Sequence, residues 1–166
     1  MRLNVGCGQY PVPGWVNIDL PPAIEHYRLP SDVVAGSVLD LPFPDDSFLQ
    51  VYCGHVLEHV SHEDHPRACA ELQRVMVDGA ELCVVGPDID RAVARNAWGA
   101  VSDIRNMDGP WPGAGHAWLP TEAEQVSLLA DGGFVVRPLR VADVPTEWPV
   151  VSRVGWQFAL ICTLKV

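Results

Sequence analysis

Two glycines and an aspartate lie close together near the start of the chain, in the stretch LNVGCGQYPVPGWVNIDL. Gly6 and Gly8 follow a short apolar strand, and Asp19 ends the next strand, 11 positions after Gly8. Glycine lets a ligand approach the backbone closely, and a carboxylate can accept hydrogen bonds from both hydroxyls of a ribose. The glycines alone would also fit a tight turn, but together with Asp19 they indicate a nucleoside site.

The spacing of these residues argues against a dinucleotide. In a dinucleotide-binding unit the ribose-binding acid follows the glycine turn by about 20 residues, and the helix between them holds the pyrophosphate. Here the interval is shorter, and Pro11 and Pro13 disfavour a regular helix within it. We predict that this first crossover helix is missing or reduced to a turn. The ligand would then have a ribose but no phosphates, as in an adenosine that carries a sulfonium amino acid at its 5′ position.

Seven short apolar runs must position these residues. They alternate with helical patterns and predict an α/β domain with its ligand site beyond the carboxyl ends of the strands. The runs are RLNVG, WVNIDL, SVLDL, LQVYCG, AELCVVG, FVVRPLRV and WQFALICTL.

Two helices are marked by their end signals. The first is predicted over 64–78, with Asp64 as its cap and Gly79 as its stop. The second is predicted over 121–131, where a T-x-x-E capping box opens it and a pair of glycines ends it.

The stretch 87–120 is rich in glycine and proline and predicts an irregular insertion with a short helix near 89–98. Asp88 and Asp90 open it, and capping of the next helix is favoured over contact with a substrate. Packing against the sheet or a lid over the site are the two interpretations for its tryptophans, Trp98, Trp111 and Trp118.

The ordered set NVGCG, VNIDL, VLDLPFPDDSFLQVYCGHVLEHV and ELQRVMVDGAELCVVGPD resembles the class I S-adenosylmethionine-dependent methyltransferases. The resemblance spans about residues 3–135 and is close to the type-11-like small-molecule methyltransferases. It implies a three-layer Rossmann-like sandwich with a mostly parallel seven-stranded sheet and an antiparallel last strand. It also implies S-adenosyl-L-methionine as the cofactor.

The same resemblance implies a set of cofactor-binding residues. The glycine turn would line the methionyl end and Asp19 would hold the ribose, while Asp40 with Leu41 would face the adenine amino group. Gly54 and His55 would form the floor of the pocket. The full set is Asn4, Gly6, Cys7, Gly8, Asp19, Leu20, Asp40, Leu41, Gly54 and His55. Cys7 is expected to contribute its backbone and its small size rather than thiol chemistry.

The stretch HVLEH, residues 55–59, matches the H-x-x-E-H helix motif of inverted zinc peptidases. That motif needs both histidines on one helix face. The run LQVYCG, however, predicts a strand that ends just before His55, so this histidine is expected on a turn. No metal site is therefore expected, and protein purified without added metal should contain far less than one zinc ion per chain.

The remaining interpretations of the histidines stay open. They could cap and solvate the mouth of the cleft, or one of them could act as an acid–base group. His59 is the first catalytic candidate. His116, in GAGHAWLP, is the second, because it could reach the same cleft or else anchor the loop before Thr121.

Composition limits the partners. The 166 residues, 48% of them hydrophobic, fit a single domain over residues 1–166. A net charge of −10 disfavours nucleic acid. Five cysteines without a C-x-x-C pair, and the absence of a long apolar run, predict a reduced cytoplasmic protein without membrane contact.

These observations predict methyl transfer to the oxygen or nitrogen of a small-molecule acceptor, achieved by positioning and an optional histidine base. The stretch CGHVLEHV lacks the D-P-P-Y and Pro-Cys motifs of DNA methyltransferases. Non-catalytic binding of S-adenosylmethionine or S-adenosylhomocysteine is the alternative, a zinc hydrolase is third, and a homodimer is a candidate assembly. Metal analysis separates the hydrolase from the other two, and an activity screen separates those from each other.

Overall fold

The computed structural model describes residues 1–106, 108–109, 114–149 and 154–165. The strands are β1 (Arg2–Val5), β2 (Val16–Asp19), β3 (Val34–Ala35), β4 (Phe48–Gly54), β5 (Met76–Pro87), β6 (Phe134–Leu139) and β7 (Gln157–Leu164). The helices are α1 (Pro21–Tyr27), α2 (His65–Val75), α3 (Ile89–Ala94), α4 (Trp98–Ile104) and α5 (Glu122–Asp131). Two short 3-10 turns cover Leu57–His59 and Val141–Asp143.

The seven strands form one sheet in the order β3-β2-β1-β4-β5-β7-β6. The first five run parallel, and β7 is antiparallel to both of its neighbours. The predicted sheet with an antiparallel last strand is confirmed. Chain order reverses between β1 and β4, and the crevice at such a switch point is where open α/β sheets bind ligands.

Both faces of the sheet are covered, because successive side chains of a strand point to opposite sides. In β5, Leu82 and Val84 join a larger core beneath α2 and α5. Cys83 and Val85 join a smaller core beneath Trp148 and the second 3-10 turn. Each fully buried aliphatic side chain contributes about 1.5–3 kcal/mol, so the two cores hold the carboxyl edge of the sheet in place.

The connection from β1 to β2 contains turns and no helix, as the prolines predicted. Tyr10 N–H donates to the carbonyl of Cys7, and Trp15 N–H donates to the carbonyl of Val12. The helix α1, which the sequence did not suggest, follows β2 instead. It has only seven residues and begins with two prolines, which are tolerated where the first helical N–H groups lack partners.

Helix α2 ends earlier than expected. It stops at Val75, and Met76 begins β5 without a loop. Gly79, the predicted stop, instead lies inside β5 with a φ of 77°, where the register between β4 and β5 shifts. Asp64 precedes the helix, but its carboxylate accepts from the Ser61 hydroxyl rather than from a helix N–H.

Helix α5 matches its prediction, since Thr121 Oγ1 accepts from Glu124 N–H at 3.2 Å and Gly132 follows the last turn.

The predicted third strand, SVLDL, is wrong because β3 lies three residues earlier. In that run Asp40 N–H donates to the carbonyl of Ser37, and Leu39 N–H donates to Ser37 Oγ. These local bonds make a turn, which removes the backbone groups from the sheet.

The insertion carries two short helices, α3 and α4, where one was expected. Trp118 is buried and Trp98 is 62% exposed, so packing holds for the first of these tryptophans and not for the second. Trp111 lies outside the described residues.

The part of the chain that the structure describes holds no helix of the length and apolarity needed to cross a bilayer.

Candidate functional site

The glycine loop, residues 6–15, turns away from the end of β1. Gly6 and Gly8 both adopt positive φ angles, 63° and 51°. Gly6 also packs so tightly against Val56 that a Cβ atom there would overlap the valine side chain. Other residues rarely adopt this conformation, and none would fit at Gly6. The residue at this point must therefore lack a side chain.

Asp19 lies where β2 ends and fastens the glycine loop. One carboxylate oxygen accepts from Gly8 N–H at 2.7 Å, and the other accepts from Leu20 N–H at 2.8 Å. A carboxylate has about four lone-pair sites. Asp19 can therefore hold the loop and still accept two further hydrogen bonds from a ligand.

Asn4, in β1, supports the glycine loop through Asn17. Its side-chain N–H donates to Asn17 Oδ1 at 2.9 Å, and Val12 N–H donates to the same oxygen at 2.8 Å. Asn17, in turn, donates to the carbonyls of Val12 and Trp15. Sequence reasoning missed Asn17, although an asparagine buried in a strand among apolar residues requires partners.

Cys7 lies between the two glycines and is buried. Burial, together with the nearby charge of Asp19, raises the pKa of the Cys7 thiol to about 12. A thiol with this pKa is protonated at neutral pH and is a poor nucleophile.

Two cavities meet at the glycine loop. The first has a volume of about 380 Å³, and the second has about 400 Å³. The residues that line both are Gly6, Gly8, Tyr27, His55 and His59. Of the other predicted residues, Asp19 and Leu20 line the first cavity, and Asn4, Cys7 and Gly54 line the second.

Asp40 and Leu41 are not among the residues that line either cavity. Asp40 is exposed and Leu41 is buried in the larger core. The neighbouring residues of the same turn, Ser37, Val38 and Leu39, form the wall of the first cavity instead. This turn therefore borders the first cavity, but through residues other than the two that were predicted.

An arginine and a glutamate of α2 fasten this turn. Arg74 donates to both carboxylate oxygens of Glu71 and to the carbonyls of Leu41 and Phe43. Glu71 accepts from Leu41 N–H at 2.8 Å. The hydrogen bonds from Arg74 lower the pKa of Glu71, which keeps the carboxylate charged.

His55 follows the last residue of β4 with a φ of 56°, so it lies on a turn as predicted. Its Nδ1 lies 3.2 Å from Glu58 Oε1, and its Nε2 lies 2.6 Å from the side-chain nitrogen of Gln157. Burial lowers the pKa of His55, but the Glu58 carboxylate outweighs burial and the net pKa is raised. Gln157, from β7, is a site residue that the sequence did not reveal.

His59 and His116 lie side by side, with ring centroids 4.9 Å apart. Nδ1 of His59 is 3.0 Å from the carbonyl of Gly115, and Nδ1 of His116 is 2.7 Å from the carbonyl of Ile104. We call His55, Glu58, His59 and His116 the histidine cluster. The end of the insertion is thus bound to the turn after β4, and the two catalytic candidates, His59 and His116, lie next to each other.

The two aspartates that open the insertion differ. Asp88 accepts from Arg91 N–H at 2.9 Å and from Glu122 N–H at 3.0 Å, so its carboxylate caps both α3 and α5. Asp90 is exposed in the first turn of α3. The capping role favoured for Asp88 is confirmed, and it leaves this residue little freedom to bind a substrate.

An open, mostly parallel sheet with a glycine turn after β1 and a carboxylate at the end of β2 is the class I methyltransferase fold, and S-adenosyl-L-methionine is the cofactor that this family implies. The sequence profile of the family described as a methyltransferase domain matches residues 15–102, more than half of the chain. The chain belongs to this family. A search of curated protein sequences finds no match.

Solved structures share the fold at low sequence identity. A possible histamine N-methyltransferase from Thermotoga maritima, S-adenosylmethionine-dependent, is 19% identical, with a TM-score of 0.66 over 99% of this chain and 82% of its own. An S-adenosylmethionine-dependent methyltransferase from Methanosarcina mazei is 21% identical, with a TM-score of 0.58 over 99% and 92%. A pericyclic reaction enzyme is 13% identical, with a TM-score of 0.61 over 99% and 43%. The shared fold therefore carries more than one chemistry.

Proposed function

We propose that the protein transfers the methyl group of S-adenosylmethionine to an oxygen or nitrogen atom of a small-molecule acceptor. The observation that carries this proposal is the pair of cavities that meet at the glycine loop. The first holds the adenosine part of the cofactor, and the second takes its methionyl end and admits the acceptor. Two reactants in adjoining cavities are the arrangement that a direct group transfer needs.

The residues of the first cavity fit an adenosine. Asp19 keeps lone pairs for two ribose hydroxyls, and the bare backbone at Gly6 and Gly8 allows close approach. No helix N-terminus follows the glycine loop, so a diphosphate would find no backbone cradle there. Bound S-adenosylmethionine supplies a methyl group already activated on a sulfonium, and the chain has chiefly to position the acceptor and exclude water.

The second cavity fits a small acceptor with polar groups. Its volume of about 400 Å³ lies within the range of small-molecule sites. Tyr10, Tyr52 and Gln157 line it together with His55 and His59. The net charge of −10 makes a nucleic acid an unfavourable acceptor.

His59, which lines both cavities, supplies the optional base, and His116 lies beside it but lines neither cavity. Because a carbonyl oxygen can only accept, each Nδ1 carries the proton and each Nε2 keeps a free lone pair. An acceptor hydroxyl can pass its proton to such a nitrogen as the new bond forms. A neutral amine or a carboxylate acceptor would not need this step.

The test is an acceptor screen that follows the release of S-adenosylhomocysteine. Pools of small alcohols, phenols, amines and carboxylic acids are incubated with the protein and S-adenosylmethionine. We expect release that depends on one acceptor class and yields a methylated product by mass spectrometry. Binding of the cofactor without product from any pool would favour the alternative of a non-catalytic binding protein.

A further inference from the structure

Three side chains, of which His59 lines both cavities, form a candidate metal centre. Glu58, His59 and His116 each offer one ligand atom, and these atoms all lie within 4.8 Å of one another. We propose that this triad binds one divalent transition-metal ion, with zinc as the best match. The argument against the H-x-x-E-H helix motif does not apply to it, because His116 takes the place of His55.

The two histidines are oriented as metal ligands are. Nδ1–H of His59 donates to the carbonyl of Gly115, and Nδ1–H of His116 donates to the carbonyl of Ile104. Metal-binding histidines usually donate their other ring N–H to a carbonyl or carboxylate, which fixes the ring and its tautomer. Both Nε2 atoms are thereby left as lone-pair donors on adjacent rings.

Glu58 supplies the negative charge. Its side chain is only 3% exposed, and its Oε1 receives no hydrogen bond within the described residues. His55 Nδ1 is 3.2 Å away and forms an ion pair with this oxygen when its imidazole is protonated. A buried carboxylate needs a cationic partner, and a bound metal ion would take or share that role with His55.

The dimensions and the ligand types select the ion. Zinc bonds to nitrogen and oxygen of about 2.0–2.2 Å place neighbouring ligand atoms about 3.5 Å apart. The triad therefore needs to contract by little more than about 1 Å. Imidazole ligands favour zinc, cobalt or nickel over magnesium and calcium. Two histidines and one glutamate leave a fourth position open, and His59 also lines both cavities.

The metal-site proposal is independent of methyl transfer. It can be tested with the metal alone. An ion at the triad would occupy both Nε2 lone pairs. The base role proposed for His59 therefore belongs to the metal-free protein, and failure of one proposal leaves the other standing.

The test is calorimetric titration of chelator-treated protein with zinc chloride. We expect one zinc ion per chain, no comparable binding of magnesium, and at least about tenfold weaker zinc binding in His116→Gln and in Glu58→Gln. The matched control is His62→Gln. His62 is exposed and pairs with Glu124 outside the triad, so this variant should bind zinc as the wild type does. Melting temperatures in chelator show whether each variant folds.

A second measurement serves if a variant does not fold. Cobalt added to the wild-type protein should give visible bands of a low-coordinate site without a thiolate charge-transfer band, since the triad contains no cysteine. Zinc binding that is absent in the wild type, unchanged in both triad variants, or equally weakened in His62→Gln would overturn the proposal. A strong thiolate band would overturn it as well.

Discussion

The glycine loop and the histidine cluster belong to one site but are assembled in different ways. Bonds that hold the glycine loop join residues close in sequence: Gly8 to Asp19 spans 11 positions, and Val12 to Asn17 spans 5. The bonds that join the turn after β4 to other segments of the histidine cluster are long-range. His59 reaches Gly115 over 56 positions, and His55 reaches Gln157 over 102.

This difference separates cofactor binding from the events at the acceptor. The glycine loop is fastened by β1 and β2, so it should keep its shape when the insertion is altered. The histidine cluster depends on the insertion and on β7, so its geometry depends on how those segments pack. Changes in the first region should act on cofactor affinity or on stability, and changes in the second on the rate of transfer.

The largest effect is expected in the histidine cluster. If the acceptor is a hydroxyl, His59→Ala in chelator-treated protein should slow transfer by about 10²–10⁴-fold, the usual contribution of a general base. Affinity for S-adenosylhomocysteine should change little. His62→Ala is the control and should transfer at the wild-type rate. Equal rates in wild type and His59→Ala with a hydroxyl acceptor would remove His59 from the mechanism.

In the glycine loop, Gly6→Ala should cost about 2–4 kcal/mol of folding free energy. The variant forces a Cβ into the left-handed region and against Val56. Gly14→Ala is the matched control, because Gly14 has a φ of 78° but open space around it, so it should cost only about 1–2 kcal/mol. Urea unfolding measures both. The packing argument fails if the two variants lose the same stability.

Substitutions of Asp19 and Asp40 test the predicted cofactor contacts directly. Asp19→Ala should weaken binding of S-adenosylhomocysteine by about 1.5–3 kcal/mol, the range for hydrogen bonds to a charged group. Asp40 is exposed and outside both cavities, so Asp40→Ala should leave the affinity nearly unchanged. A larger loss from Asp40 than from Asp19 would show that the adenine contact implied by the family resemblance is formed after all.

The smallest effect concerns the turn fastened by Arg74. Glu71→Gln should lower the free energy of unfolding by about 1–2 kcal/mol at neutral pH, because it weakens partly exposed charged hydrogen bonds. The pKa of Glu71 is lowered in the folded state. Its contribution is therefore complete above the ordinary value of about 4.3 and is lost as pH falls through the folded-state pKa.

Urea unfolding at several pH values checks this prediction. The difference between wild type and Glu71→Gln should shrink below about pH 4. Glu25→Gln, on the exposed face of α1, should show no difference at any pH. A difference for Glu71→Gln that stays constant down to low pH would contradict the assignment.

The sequence predicted the parts of the molecule that local patterns determine. The sheet, the reduced crossover and the cap of α5 follow from apolar periodicity, prolines and a capping box. The third strand failed because Ser37 forms side-chain and backbone bonds that turn the chain, which apolarity does not reveal. Gln157 was not predicted, and the reach of His116 to the cleft was only one of two interpretations, since both depend on segments that meet only after folding.

The central claim is that the first cavity binds S-adenosylmethionine rather than a dinucleotide. Titration calorimetry of the wild-type protein with S-adenosylmethionine, S-adenosylhomocysteine and NAD tests it most directly. We expect one molecule of either sulfur compound to bind per chain and no comparable binding of NAD. Tight binding of NAD together with no binding of the two sulfur compounds would contradict the account.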